Sequence, residues 1–148
     1  MDLLVPTARC RSKLADALNL AGVTASNPVY VSGDDALALL LWLCANGYEH
    51  VFHVPEHASV RVGPDGVLIA PRTLDGPALE ALLAQCARMA PGGRVVAQTP
   101  RARRPDQRAA TDRTFARAGF SAEPTVLASP FKEIWVARRL DPAVKKAA

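Results

Sequence analysis

Three histidines that lie within eight residues of one another are the densest group of side chains capable of chemistry: His50, His53 and His57. Imidazole nitrogens are common zinc ligands, so this spacing raises the hypothesis of a metal site. The surrounding pattern predicts a strand over residues 50–54, in which side chains three positions apart point to opposite faces. His53 and His57 converge only if the turn at Pro55 folds them together. The sequence therefore predicts a strand end and a solvated turn, and no metal site.

Two adjacent carboxylates, Asp34 and Asp35, follow Gly33. Paired carboxylates can act as general acid and base. These two are neighbours at the predicted start of a helix, where aspartate is a preferred capping residue, so we expect a cap. The sequence offers no nucleophile at a credible spacing from a base and no glycine-rich loop for a phosphate. We therefore predict no catalytic residue.

The three cysteines, Cys10, Cys44 and Cys86, are widely spaced and form no Cys-x-x-Cys pair. This arrangement predicts neither a disulfide framework nor a zinc knuckle. Cys44 and Cys86 fall within apolar helical patterns, which predicts that both are buried as small apolar side chains.

Six arginines lie in the seventeen residues from 101 to 117, with only two aspartates. Such a basic segment has three interpretations: a solvated face, a surface for an acidic protein, or a surface for nucleic acid. The one aromatic residue, Phe115, is predicted to point inward, which leaves none to stack on bases and weakens the third interpretation. The residues expected at a partner surface are Arg101, Arg103, Arg104 and Arg108.

The middle of the chain predicts a strand, a helix and a second strand. Gly66–Ala70 and Arg94–Ala97 are short apolar runs typical of strands covered on both faces. Between them, Asp75 can cap a helix that ends at Pro91-Gly92-Gly93. The predicted buried stripe of this helix consists of Leu79, Leu82, Leu83, Cys86 and Met89. This is a βαβ unit, and its crossover should be right-handed.

Eight further elements follow from apolar periodicity and turn residues. Helices are predicted over residues 7–22, 36–45 and 106–118, and strands over 28–31, 50–54, 58–62, 124–128 and 133–137. The helix over 36–45 contains no charged residue, so it must be covered on all sides, by the core or by a second copy. Trp42 is the side chain expected at such a homodimer surface.

The bulk composition predicts one domain over residues 1–140, and residues 141–148 are predicted to be a tail or the start of a linker. With 148 residues, 49% of them hydrophobic and 22% charged, the chain can bury a core and is too apolar for global disorder. No apolar run approaches the roughly 20 residues that cross a bilayer, and the N-terminus lacks the order of a secretory signal. We expect a cytosolic protein without membrane association.

The helix end Ala87-Arg88-Met89-Ala90-Pro91-Gly92-Gly93 resembles the turn before the fifth strand of class I S-adenosylmethionine-dependent methyltransferases. The two strands that follow Ala118-Gly119-Phe120 resemble the end of the same fold. The resemblance implies a three-layer, Rossmann-like α/β sheet with helices on both faces. Its strands would be mostly parallel, with an antiparallel last strand.

That family places an acidic residue and a Gly-x-Gly-x-Gly loop after the first strand, because the backbone must approach the cofactor without a Cβ. Here Gly33 stands alone, and Asp34 and Asp35 would repel the methionine carboxylate. Residues 57–65 leave no room for the helices of the cofactor half, so the sheet should be trimmed there. We expect no cofactor. If S-adenosylmethionine does bind, Gly33, Asp34 and Glu56 are the candidate contacts.

A narrower resemblance is to the N-terminal domain of the anamorsin family. It rests on the opening Val31-Ser32-Gly33-Asp34-Asp35, the short route to Gly66–Ala70 and the helix end at 87–93. It implies a non-catalytic scaffold that contacts proteins in cytosolic iron–sulfur cluster assembly and electron transfer, although the family's cysteine-rich segment is absent here. Two alternatives remain: a small active methyltransferase, and a nucleic-acid adaptor that uses residues 101–117.

Overall fold

Four helices and six strands make up the part of the chain that the computed structural model describes, residues 8–142. In chain order they are α1 (Ala8–Leu20), β1 (Val29–Ser32), α2 (Leu37–Ala45), β2 (Val51–Val54), β3 (Val67–Thr73), α3 (Gly76–Gln85), β4 (Arg94–Pro100), α4 (Pro105–Arg117), β5 (Phe120–Ser129) and β6 (Lys132–Arg139). None of these helices is long and apolar enough to cross a membrane. The predicted tail lies outside the described residues from 143 onwards.

The strands form one sheet in the order β2-β1-β3-β4-β6-β5. β1 pairs in parallel with both β2 and β3, and β3 pairs in parallel with β4. β6 runs antiparallel to its two neighbours. The chain moves from β1 out to β2 and then returns to the other side of β1, so the ends of β1 and β3 form a topological switch point. The predicted α/β sheet, mostly parallel with an antiparallel last strand, is confirmed.

Each face of the sheet buries its own core, because alternate residues along a strand point to opposite faces. On one face, α1 and α2 cover the strands; this core includes Leu14, Leu18, Leu39, Leu43, Val29, Val31, Val67 and Ile69. On the other face, α3 and α4 do so; this core includes Leu79, Leu83, Phe115, Leu68, Val95 and Trp135. The helices on both faces are therefore confirmed.

The predicted βαβ unit in the middle of the chain is present as β3, α3 and β4. The Asp75 carboxylate accepts a hydrogen bond from the Ala78 N–H at 2.9 Å and caps α3. All five residues of the predicted stripe are buried, although Cys86 and Met89 lie in the turn after α3. The helix end predicted at Pro91-Gly92-Gly93 is wrong: α3 ends at Gln85, and Gly92, with a φ of 90°, forms the turn that leads into β4.

The strand predicted over residues 58–62 is wrong. This segment has no strand partner, and its backbone instead bonds to the end of α3: the Val60 N–H donates to the Gln85 carbonyl, and the Ala90 N–H donates to the Val62 carbonyl. Val62 is fully buried, and Val60 packs against the core on the α3 face. Both edges of β1 are already taken by β2 and β3, so the segment covers the sheet rather than extending it.

One of the two predicted buried thiols is exposed. Cys86 is buried, but Cys44 is exposed, because α2 presents only one side to the core. The sequence does not predict this difference, because no polar residue marks the outward side of the helix. Trp42 is half-buried and packs against the core beneath α1 and α2.

The two thiols should differ strongly in reactivity. Burial raises the pKa of Cys86 to about 12, against about 8.5 for an ordinary thiol. At pH 8 the thiolate fraction of Cys86 is then about 1,000-fold lower than that of an ordinary cysteine, so alkylation should be slower by a comparable factor. Site-resolved mass spectrometry after N-ethylmaleimide treatment would measure both rates. Equal rates in the native protein would contradict the prediction, and denaturant should make them equal.

Candidate functional site

A crevice opens at the switch point, where β1 and β3 end and α3 begins. Its volume is about 300 Å³, at the lower limit of small-molecule pockets. Gly33, Glu56 and Arg72 lie at its polar end, Gln85 lies at its floor, and apolar residues of β3 and α3 form its walls. Ligands of open α/β sheets bind at such positions, so this crevice is the candidate functional site.

The turn after β1 needs a glycine for its backbone angle rather than for a close approach. Gly33 has a φ of 102°, and no atom of residues 8–142 lies within 4 Å of where a Cβ would stand. Its N–H donates to the Val54 carbonyl at 3.0 Å, and its carbonyl lies 2.7 Å from Nε2 of His53. The turn is therefore held to the end of β2.

The carboxylate of Asp35 pairs with Arg72 beside the crevice and does not cap α2. Nη2 and Nε of Arg72 lie 2.7 Å and 2.9 Å from the same oxygen, Oδ2 of Asp35. The cap predicted from Asp34 or Asp35 is wrong, since the N-cap of α2 is Ala36, without a side-chain bond. The pair is about half exposed, so its contribution to stability is small. Asp35 nevertheless neutralises the Arg72 guanidinium, which is the cation nearest to the crevice.

Gln85 locks the floor of the crevice. Its Oε1 accepts a hydrogen bond from the Ser32 hydroxyl at 2.7 Å. Its Nε2 donates to the carbonyls of Pro55 at 3.0 Å and Ala58 at 2.9 Å. The side chain is only 6% exposed, and both of its N–H groups are used. Gln85 thus joins the end of β1 and the turn after β2 to α3, and it has no donor left for a ligand.

Sequence reasoning missed both Arg72 and Gln85. Arg72 carried no signal, because its partner is 37 residues away. Gln85 did carry one: it is a polar residue next to Cys86 on the buried side of an otherwise apolar helix. A buried glutamine needs partners for its amide, so its position predicts a hydrogen-bond network.

The three histidines do not converge. His53 contacts the turn after β1, whereas His50 and His57 each lie about 4 Å from the glutamate that precedes them and are exposed. Among the described residues, no group of three or more histidine, cysteine, aspartate or glutamate side chains could hold a metal ion. Glu56 is half exposed and is the carboxylate among the described residues that line the crevice.

The crevice does not fit S-adenosylmethionine, the cofactor that the resemblance implies. Asp34, exposed next to Gly33, adds negative charge near the place of the methionine carboxylate, while Arg72 is already neutralised by Asp35. Gln85 uses its donors within the protein. The irregular segment between β2 and β3 contains no helix or strand that could form the far wall of a nucleoside pocket.

The arginine segment is partly structural. Arg108 donates to Oε2 of the buried Glu133 at 3.0 Å, and the Ala102 N–H donates to Oε1 of Glu133 at 3.3 Å. Arg101 donates to the Pro130 carbonyl, and Arg104 pairs with Asp106. The arginines whose side chains form no hydrogen bond or ion pair in the described structure are Arg103 and Arg113.

Solved structures of methyltransferases share this fold. CalS10, an amino pentose methyltransferase from Micromonospora echinaspora bound to S-adenosylmethionine, matches with a TM-score of 0.56 and 11% identity, over 87% of this chain and 89% of its own. Magnesium protoporphyrin IX methyltransferase from Synechocystis, with bound S-adenosylhomocysteine, matches with a TM-score of 0.52 and 10% identity, over 87% and 81%. A methyltransferase from Pyrococcus furiosus matches with a TM-score of 0.53 and 8% identity, over 87% of this chain and 83% of its own.

No protein-family model and no curated protein matches the chain. At identities near 10%, the structural matches show the fold alone. The chain therefore has a class I methyltransferase-like fold, and its activity has to be argued from its own residues.

Replacing Gln85 should lower the free energy of unfolding much more than replacing an exposed polar residue of the same helix. Gln85→Ala leaves the Ser32 hydroxyl and two loop carbonyls without partners, at a cost of about 1–3 kcal/mol in the free energy of unfolding. Glu80→Ala is the matched control, because Glu80 is exposed on the same helix. Urea denaturation would measure both variants, and equal losses would contradict the role assigned to Gln85.

Replacing Arg108 should likewise lower the free energy of unfolding more than replacing another arginine of the same helix. Arg108→Ala leaves the buried carboxylate of Glu133 without its charged partner, and we expect a loss of about 1–3 kcal/mol in the free energy of unfolding. Arg113→Ala, at an exposed position on the same helix, should change it by less than about 0.5 kcal/mol. Urea denaturation in the same buffer separates the two; a neutral Arg108→Ala would refute the assignment.

Proposed function

We propose that this chain is a non-catalytic methyltransferase-like domain that acts by binding other proteins. The floor of the crevice carries the proposal: Gln85 makes its amide hydrogen bonds inside the protein at the point where the fold offers a ligand site. The Asp35–Arg72 pair supports the proposal, because the cation nearest to the crevice is already neutralised.

The surface supports a partner of acidic character. The chain has a net charge of +4, and arginines are concentrated between residues 101 and 117. Arg103 is the member of the predicted set (Arg101, Arg103, Arg104 and Arg108) whose side chain is exposed and unpaired in the described structure. The resemblance to anamorsin assigns such a domain to cytosolic iron–sulfur cluster assembly, as a contact platform and not as a cluster carrier.

A small active methyltransferase is the second candidate. The observation in its favour is the cavity of about 300 Å³ at the switch point, with Gly33 and Glu56 at its polar end. Under this reading, Glu56 would bind the ribose hydroxyls, and the turn at Gly33 would lie against the methionine part of the cofactor. The nucleic-acid interpretation has less support, since Phe115, the one aromatic residue between 101 and 117, is fully buried and cannot stack on bases.

Titration with S-adenosylmethionine and S-adenosylhomocysteine distinguishes the two candidates. We expect no binding heat and no shift of the Gly33 amide signal in NMR spectra at ligand concentrations up to about 1 mM, which corresponds to a binding free energy weaker than about −4 kcal/mol. Binding at micromolar concentrations would overturn the proposal, provided that Glu56→Ala abolishes it. Glu49→Ala, at another exposed glutamate near β2, is the matched control for that variant.

A further inference from the structure

The outward side of α2 is an apolar stripe exposed to solvent. Leu37 is 67% exposed and Leu41 is 62% exposed. The residues that complete the stripe are Ala38, Cys44 and Ala45, all exposed. Their spacing places them on one side of the helix. No charged residue occurs between Ala36 and Gly47, so this helix has no charged side chain that would stabilise an exposed side in water.

The stripe is not needed to hold α2 in place. Leu39 and Leu43 are fully buried on the opposite side, and Leu40 and Trp42 pack against the same core from the flanks. Polar residues at the outward positions would leave these contacts unchanged. The leucines at 37 and 41 therefore call for an explanation outside the domain's own core.

The order of residue sizes along the stripe fits a second copy of the same stripe. The positions 37, 38, 41, 44 and 45 are symmetric about Leu41. An antiparallel pair with its two-fold axis at Leu41 sets Leu37 against the small Ala45 of the other copy, and Ala38 against Cys44. Large side chains then meet small ones at both ends, as interdigitating helices require.

The charge distribution also favours a second copy at this place. α2 packs on β2, at one edge of the sheet, whereas α4 with its arginines packs on β5, at the other edge. Six strands at about 4.8 Å spacing separate these edges by about 24 Å, more than twice the Debye length of about 8 Å in physiological salt. Two positively charged copies can therefore meet through α2 with their arginine segments screened from each other.

We propose that the stripe of Leu37, Ala38, Leu41, Cys44 and Ala45 is a homodimer surface, in which α2 packs antiparallel against α2 of a second copy. The inference deepens the proposed scaffold function, on which it rests, by naming one partner. The nine-residue helix is only about 13 Å long, so the contact is smaller than a standard interface of about 800 Å² per partner. The dimer is accordingly weak, with a Kd of about 10–100 µM.

Sedimentation velocity over about 2–300 µM protein tests the proposal. We expect the wild type to shift from monomer to dimer with concentration, and Leu41→Glu and Ala45→Glu to weaken association at least about tenfold. Leu20→Glu is the matched control, because Leu20 is 66% exposed but lies on α1 outside the stripe. Circular dichroism checks that each variant is folded, and two separate α2 variants guard against one that is not.

A second readout reports the antiparallel arrangement itself. In a background with Cys10 and Cys44 replaced by serine, Leu41→Cys should form an intermolecular disulfide under mild oxidation, because the two copies of this position meet on the axis. Leu37→Cys in the same background should not, because it faces Ala45 of the other copy. Equal cross-linking of both would overturn the arrangement.

A wild type that stays monomeric at the highest concentration, or a Leu20→Glu variant as impaired as Leu41→Glu, would overturn the dimer. The scaffold proposal fails separately, through S-adenosylmethionine binding. A monomer that binds no cofactor removes only the dimer, and a dimer that binds the cofactor removes only the scaffold role.

Discussion

The side chain of Gln85 is the interaction on which the carboxyl end of the sheet depends. It accepts from Ser32 at the end of β1 and donates to the carbonyls of Pro55 and Ala58 in the turn after β2. Ser32 lies at the end of a strand and the two carbonyls lie in a loop, so the sheet itself does not hold these groups together. A buried amide with both N–H groups satisfied holds them at little cost, whereas an apolar residue would leave two carbonyls unpaired. The same bonds hold the floor of the crevice, so Gln85 contributes both to stability and to the shape of the candidate site.

Trimming the sheet has a second consequence at its edge. Without a helix between β2 and β3, the segment over residues 55–66 covers the α3 face, and β2 becomes an edge of only four residues. Phe52 on this edge stacks on Tyr30 with ring centroids 5.2 Å apart, yet it remains 47% exposed. α2, above the same edge, is covered on one side only. Apolar surface is therefore concentrated at the edge of the sheet formed by β2 and α2.

Local signals made most of the fold predictable. The cap at Asp75 and the buried stripe that begins on α3 each act within a few residues, and the structure has both, although α3 ends at Gln85 and not at Gly92. The failures involve distant partners. Asp35 pairs with Arg72 rather than capping α2, and Val60 bonds to the end of α3 rather than to a strand. Cys44 could not be placed, because an uncharged helix carries no pattern that tells its two sides apart. The candidate site depends on such distant pairings, and so it was less predictable than the fold.

The amino end of the sheet is also held by one buried polar side chain, that of Arg94. Arg94, 7% exposed at the start of β4, donates to the carbonyls of Ala21 at 2.6 Å and Asp65 at 2.9 Å. It thereby ties the end of α1 to the turn before β3. Burial, and then the neighbouring guanidinium of Arg138, lower the pKa of Arg94, but the group stays cationic at neutral pH and binds the negative end of the α1 dipole. Ligands of open α/β sheets bind at the carboxyl end, so the bonds of Arg94 bear on stability, whereas those of Gln85 bear on both stability and the candidate site.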